Sequence, residues 1–189
     1  MSSTKYLALL RGINVGGNNI IKMANLKSCF KEMGCLNVAT FIQSGNVIFN
    51  SDEKDKIKLT VKIENELSKT FNYNSRIVLI TDTLLKSVVK NAPKNFGRDP
   101  ANNRYDVIFL KEPLTAKAAM KDVKIKEGVD NAYAGKNVLY FSRLAAKAAQ
   151  SHLPKIMAIP IYKNMTIRNW NTTTKLLALM EKETGVTSA

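Results

Sequence analysis

The sequence predicts an α/β (α+β) fold of two fused ferredoxin-like βαββαβ halves followed by a C-terminal helix. Three observations predict it: short apolar runs that read as buried strands, helical stripes between them, and an element order that occurs twice. The first run, Lys5–Leu10, is followed by a glycine-bearing loop. Met23, Leu26, Phe30 and Met33 then recur at helical spacing, and Gly34 ends that helix. Val38–Asn50 reads as two strands about the turn Ser44-Gly45-Asn46. A second helix spans Asp55–Phe71, with Leu59, Ile63, Leu67 and Phe71 on one stripe, and Arg76–Ile80 is the fourth strand.

A connecting helix, Asp82–Asn91, leads into a loop rich in Pro, Gly and Asn, Pro93–Asn103. The order then recurs. Arg104–Leu110 reads as a strand and Thr115–Val123 as a helix. Val129–Ala132 and Asn137–Phe141 read as a hairpin, Ala148–Ala158 as a helix and Asn164–Ile167 as a short strand. A terminal helix over Thr172–Glu183 turns Leu176, Leu177 and Met180 inwards and stops at Gly185. The predicted organisation is an N-terminal half over 1–80, a connecting segment over 81–103, and a C-terminal half with the terminal helix over 104–189.

Lys and Arg together number 29 against 15 Asp and Glu, a formal charge of +14 that points to anionic partners, a small molecule or nucleic acid. The placement is uneven. The first acid is Glu32 and the next is Asp52, and none stands between Asp130 and Glu181. A solvated lysine-rich surface is the plainer explanation of the same excess. No apolar run approaches the ~20 residues of a membrane span, and the run Tyr6–Leu10 is too short for a signal peptide, so a cytoplasmic, membrane-free protein is expected. Cys29 and Cys35 lack the spacing of zinc ligands, and neither a metal nor a cofactor is expected.

The candidate site begins at the loop Arg11–Lys22. Gly12, Gly16 and Gly17 allow close backbone approach, and Arg11 and Lys22 bracket the loop with positive charge, while Asn14 adds a neutral donor and acceptor. The loop contains no GxGxxG pattern. It starts like a Walker A motif at Gly12-x-x-x-x-Gly17, but Asn18-Asn19 stands where Lys-Ser/Thr is required. A tight βα connection that needs glycine for geometry alone is the competing explanation. Ser44 and Asn46 of the hairpin turn are candidate contacts. A further cluster, Thr166–Lys175, brings together Arg168, Asn169, Trp170, Thr172 and Lys175, with Asn171 or Thr172 expected to cap the last helix. Trp170, the only tryptophan, can offer a stacking face or pack in the core.

The stretch LLRGINVGGNNIIKM (Leu9–Met23), the turn QSGNVIF (Gln43–Phe49) and TIRNWNT with Lys175 resemble the domain of unknown function 1697 family of bacterial proteins. The resemblance runs in order over nearly the whole chain. It implies an α/β fold with ferredoxin-like halves and assigns no activity. Its signature positions fall on Arg11, Gly12, Asn14, Gly16, Gly17, Met23, Ser44, Gly45, Asn46, Arg168, Asn169, Trp170 and Thr172. Many relatives carry a lysine where this chain has Asn18, which weakens a phosphate-lysine role for the loop.

Enzyme chemistry finds little support. His152 is the only histidine, no carboxylate is obvious beside it, and Ser44 is first a turn residue. An RNA-binding reading would need exposed sheet aromatics, and Phe41, Phe49, Tyr140 and Phe141 are expected in the core. The sequence therefore points to an anion-binding protein built on the Arg11–Lys22 loop, the Ser44–Asn46 turn and the Arg168–Lys175 helix start. A transferase or hydrolase acting on a phosphorylated small molecule, and a structural or protein-interaction module, are the alternatives.

Overall fold

The N-terminal apolar run forms strand β1 (Thr4–Leu10), with six of its seven residues buried. In the computed structural model, which describes residues 3–182, the chain divides into two compact units, Met1–Thr83 and Leu84–Ala189. In the first unit, β1 is followed by α1 (Met23–Glu32), β2 (Leu36–Phe41), β3 (Asn46–Ser51), α2 (Lys56–Phe71) and β4 (Ile77–Thr81). Its four strands form one antiparallel sheet in the order β2-β3-β1-β4, the ferredoxin-like arrangement.

The helix ends follow from local chemistry. Gly34 takes φ +87°, and the amides of Gly34 and Cys35 donate to the carbonyls of Lys31 and Phe30, closing α1 with a Schellman motif. The Asp55 carboxylate caps α2 by accepting from the amides of Ile57 and Lys58. Leu26 and Phe30 of α1 pack with Leu59, Ile63 and Leu67 of α2 on Tyr6, Ala8 and Leu10 of β1. Leu7 and Leu9, pointing to the opposite face of β1, are buried as well.

After β4 come α3 (Asp82–Lys90) and a series of turns, then β5 (Asn103–Leu110), α4 (Ala116–Asp122), β6 (Asp130–Ala134) and β7 (Val138–Leu144). They are followed by α5 (Leu153–Ala158), β8 (Met165–Asn169) and α6 (Trp170–Lys182). The second sheet, β6-β7-β5-β8, repeats the order of the first and is again wholly antiparallel. Ile108, Leu110, Leu139 and Phe141 pack there with Ala119 of α4, Ile156 of α5 and Met165.

Two expected helices differ in outline. The helix expected over Ala148–Ala158 is a 3₁₀ segment, Ala145–Gln150, and a separate α5 beyond Ser151. Pro154 explains the break, since in one continuous helix it would clash with the Gln150 carbonyl and offer it no N–H. The terminal helix starts at Trp170, two residues earlier than expected. Asn169 makes the cap, its Oδ1 accepting from the Asn171 amide at 2.9 Å, where Asn171 or Thr172 had been expected. Thr173 is buried beside Leu176 and Met180, while Leu177 is only half-buried. Glu183 and Gly185 lie outside the described residues.

Candidate functional site

The connection Arg11–Lys22 folds back on itself as a small hairpin. Gly16 and Gly17 form its tip with φ of +59° and +78°, and the Asn18 amide donates to the Val15 carbonyl at 3.1 Å. Positive φ at both central residues is what a type I′ turn requires. Below the tip, the Asn14 amide donates to the Asn19 carbonyl, and Asn19 Nδ2 donates to the Gly12 carbonyl at 2.8 Å.

Asn14 ties this hairpin to its surroundings. Its Oδ1 accepts from the Ile21 amide, and its Nδ2 donates to the Ile21 carbonyl and, at 2.8 Å, to the Gln43 carbonyl. The last bond joins the connection to the β2–β3 turn, so the first two sequence motifs do come together. The Leu10 amide reinforces the junction by donating to the Gly45 carbonyl at 2.8 Å. Within the turn, the fully buried Asn46 donates from Nδ2 to the Phe41 carbonyl and to Ser44 Oγ. Ile42 adopts φ +51°, a rare conformation for a β-branched residue.

Both amide protons of Asn14 thus serve the backbone of the junction, and those of Asn46 serve the Phe41 carbonyl and the Ser44 hydroxyl. The positive charge that faces solvent there comes from elsewhere. Lys22 precedes α1, which has no side-chain cap, and is exposed. The Arg11 amide donates to the carbonyl of Arg76 at 3.0 Å, which sets a second arginine beside the connection. The Arg76 side chain is half exposed and lies 3.8 Å from Glu64. Sequence reading missed Arg76, counting it as the start of a strand. The available signal was topological, because βαββαβ pairing puts the start of the fourth strand beside the end of the first.

The second unit repeats this junction in reduced form. The Leu110 amide donates to the Asn137 carbonyl and the Lys111 amide to the Asn164 carbonyl, matching the bonds of Leu10 and Arg11. Between β5 and α4 lie only five residues, Lys111–Thr115, against twelve between β1 and α1.

Arg168, Asn169, Trp170, Thr172 and Lys175 stand together at the β8–α6 corner. Arg168 is 7% exposed and donates from Nη1 to Thr166 Oγ1 and the Ile167 carbonyl, and burial holds its pKa down to about 10. Trp170 meets Phe96 edge to face at 5.2 Å and lies over Gly97, where a Cβ would fall 2.1 Å from the indole Nε1. Asn169 and Trp170 also border a polar recess of about 50 Å³, room for a water or two. Thr172 is half-buried and Lys175 is exposed.

Asp130 Oδ2 accepts from the main-chain amide of His152 at 2.8 Å, while the imidazole Nε2 lies 2.9 Å from Lys155 Nζ. Phe49, Tyr140 and Phe141 are buried, as expected, and offer no base-stacking platform, whereas Phe41, also expected in the core, is only half-buried. Among the described residues no helix is long and apolar enough to cross a membrane.

Residues 3–140 match the family described as "Protein of unknown function (DUF1697)". The chain belongs to this family. The DUF1697 match takes in the β1–α1 connection and the β2–β3 turn and ends before β8. A solved structure, that of the conserved bacterial protein SP0830 from Streptococcus pneumoniae, is similar throughout. The two share 27% identity with a TM-score of 0.82, over 95% of this chain and 99% of that one. No relative was found among the curated proteins. DUF1697 membership thus accounts for the fold and leaves the chemistry to be read from the residues.

Proposed function

We propose that the end of the first unit built by Arg11–Lys22 binds a phosphate-bearing small molecule, a nucleotide or a phosphorylated metabolite. The observation that carries this reading is the length of the connection. The second unit completes the same crossover with Lys111–Thr115 and the same pair of backbone bonds. The hairpin about Gly16 and Gly17 is therefore surplus to the fold, and its glycine tip lets a ligand approach the main chain closely. Arg11, Lys22 and Arg76 supply positive charge at that junction. Val15 and Ile20, 64% and 77% exposed on the hairpin, suit the apolar part of such a ligand better than bare phosphate. This reading rests on the first unit alone; in the second, Arg168 is buried and Trp170 packs on Phe96.

Calorimetric titration with AMP, ADP and inorganic phosphate tests it. The wild type should bind a nucleotide saturably. Arg11→Gln should weaken that binding at least tenfold, as should a variant in which the sequence of 111–115 replaces residues 11–22. Equal affinity in all three proteins, or no saturable binding by the folded wild type, refutes the proposal.

A further inference from the structure

Helices α1 and α2 run antiparallel, since Cys29 Sγ meets Thr70 Oγ1 while Lys62 Nζ reaches the Met33 carbonyl. Their lengths do not match. The ten residues of α1 span about 15 Å and the sixteen of α2 about 24 Å, so the first turns of α2 run on past the end of α1. A cleft of about 320 Å³ opens there, at the lower end of the range for small-molecule sites.

The floor of the cleft is apolar. Leu59, Ile63 and Cys35 are buried, Met33 borders it from the end of α1, and burial pushes the Cys35 thiol up to about 11, so it remains a neutral thiol. The rim is charged. Lys58 and Lys62, four residues apart on one face of α2, both line it, and like charges at that spacing repel. Glu53 answers one of them, its Oε2 lying 2.9 Å from Lys58 Nζ, whereas Lys62 donates to a neutral carbonyl. Among the side chains that line the cleft, one positive charge is therefore in excess of the acid, with Asp55 attracting Lys58 from just outside it.

The geometry points to a binding cleft for a small monocarboxylate with a branched aliphatic or aromatic body. Its carboxylate would lie between Lys58 and Lys62, and its body would lie against Met33 and the aliphatic stems of the two lysines, above the buried Leu59 and Ile63. A carboxylate relieves the repulsion between the two ammonium groups. The apolar body removes water from Met33 and the lysine stems, which line the cleft where α1 stops short. This cleft is independent of the β1–α1 connection, so either proposal can fail alone.

Titration of the ¹⁵N-labelled full chain with benzoate, benzamide and inorganic phosphate decides it. Benzoate should give saturable amide shifts confined to residues 33–35 and 51–63. Benzamide, with the same shape and no charge, should bind at least tenfold more weakly, and phosphate should not saturate these shifts. Lys62→Met, which keeps an apolar stem, should weaken benzoate tenfold and leave benzamide unchanged, while Lys69→Met at the far end of α2 should change neither. Lys58→Met repeats the measurement if Lys62→Met loses its dispersed spectrum. Equal affinity for benzoate and benzamide, shifts centred elsewhere, or no saturation would overturn the assignment.

Discussion

A Cβ at Gly45 would lie 2.6 Å from Ile13 Cδ1 and 2.8 Å from Leu10 Cβ, on a backbone already at φ +73°. At Gly16, with φ +59°, the nearest atom would be 3.9 Å away. Gly16→Ala should therefore cost only the left-handed strain, about 1 kcal/mol. Gly45→Ala adds overpacking and should cost about 2–4 kcal/mol. Urea unfolding of the two variants checks this, and equal losses would show that the Gly45 contacts relax freely. The sequence marked both glycines but could not rank them, because the contacts of Gly45 come from residues more than thirty positions away. Asn14 and Asn46 were legible as conspicuous polar residues in loops. Most of their partners were not, because these are main-chain groups, which every residue carries.

Most elements could be read from the chain because their signals are local. Gly34 ends α1, Asp55 starts α2, and the stripe Leu59, Ile63 and Leu67 faces the sheet. The misread segments hold competing signals. The alanines of 145–149 favour helix, while Pro154 forbids one that runs through Gln150. At the β8–α6 corner, three capping residues, Asn169, Asn171 and Thr172, compete to start the helix, and only the local backbone path selects Asn169. Between β5 and β7, the register sets Asp106 opposite Phe141 and brings Arg143 Nη1 to 2.7 Å from its carboxylate. Burial raises the Asp106 carboxyl above its ordinary range, and Arg143 opposes that shift without cancelling it. A carboxyl that binds its proton more tightly folded than unfolded gains stability as pH falls through its folded value. The stability of the wild type relative to Asp106→Asn should thus improve between pH 7 and about pH 4.5. Chemical unfolding at the two pH values measures it, and a change of opposite sign would mean that Arg143 dominates.

The whole chain carries +14, and that charge acts against the compact state through self-repulsion. Raising the ionic strength from about 0.05 M to about 0.5 M shortens the screening length from roughly 14 Å to roughly 4 Å. The melting temperature should rise over that range. A fall would show that attractive pairs such as Lys58–Glu53 outweigh the excess. Two βαββαβ units from one chain also provide an internal control, because the second closes the crossover in five residues where the first uses twelve. The bonds Leu10–Gly45 and Arg11–Arg76 hold the start of that longer segment, and the Asn14 side chain holds Ile21 near its end, all outside its tip. Loop closure grows only slowly more costly with length. Residues 15–18 are consequently a cassette position: foreign peptides can be grafted there and displayed on a folded scaffold, whatever the native hairpin recognises.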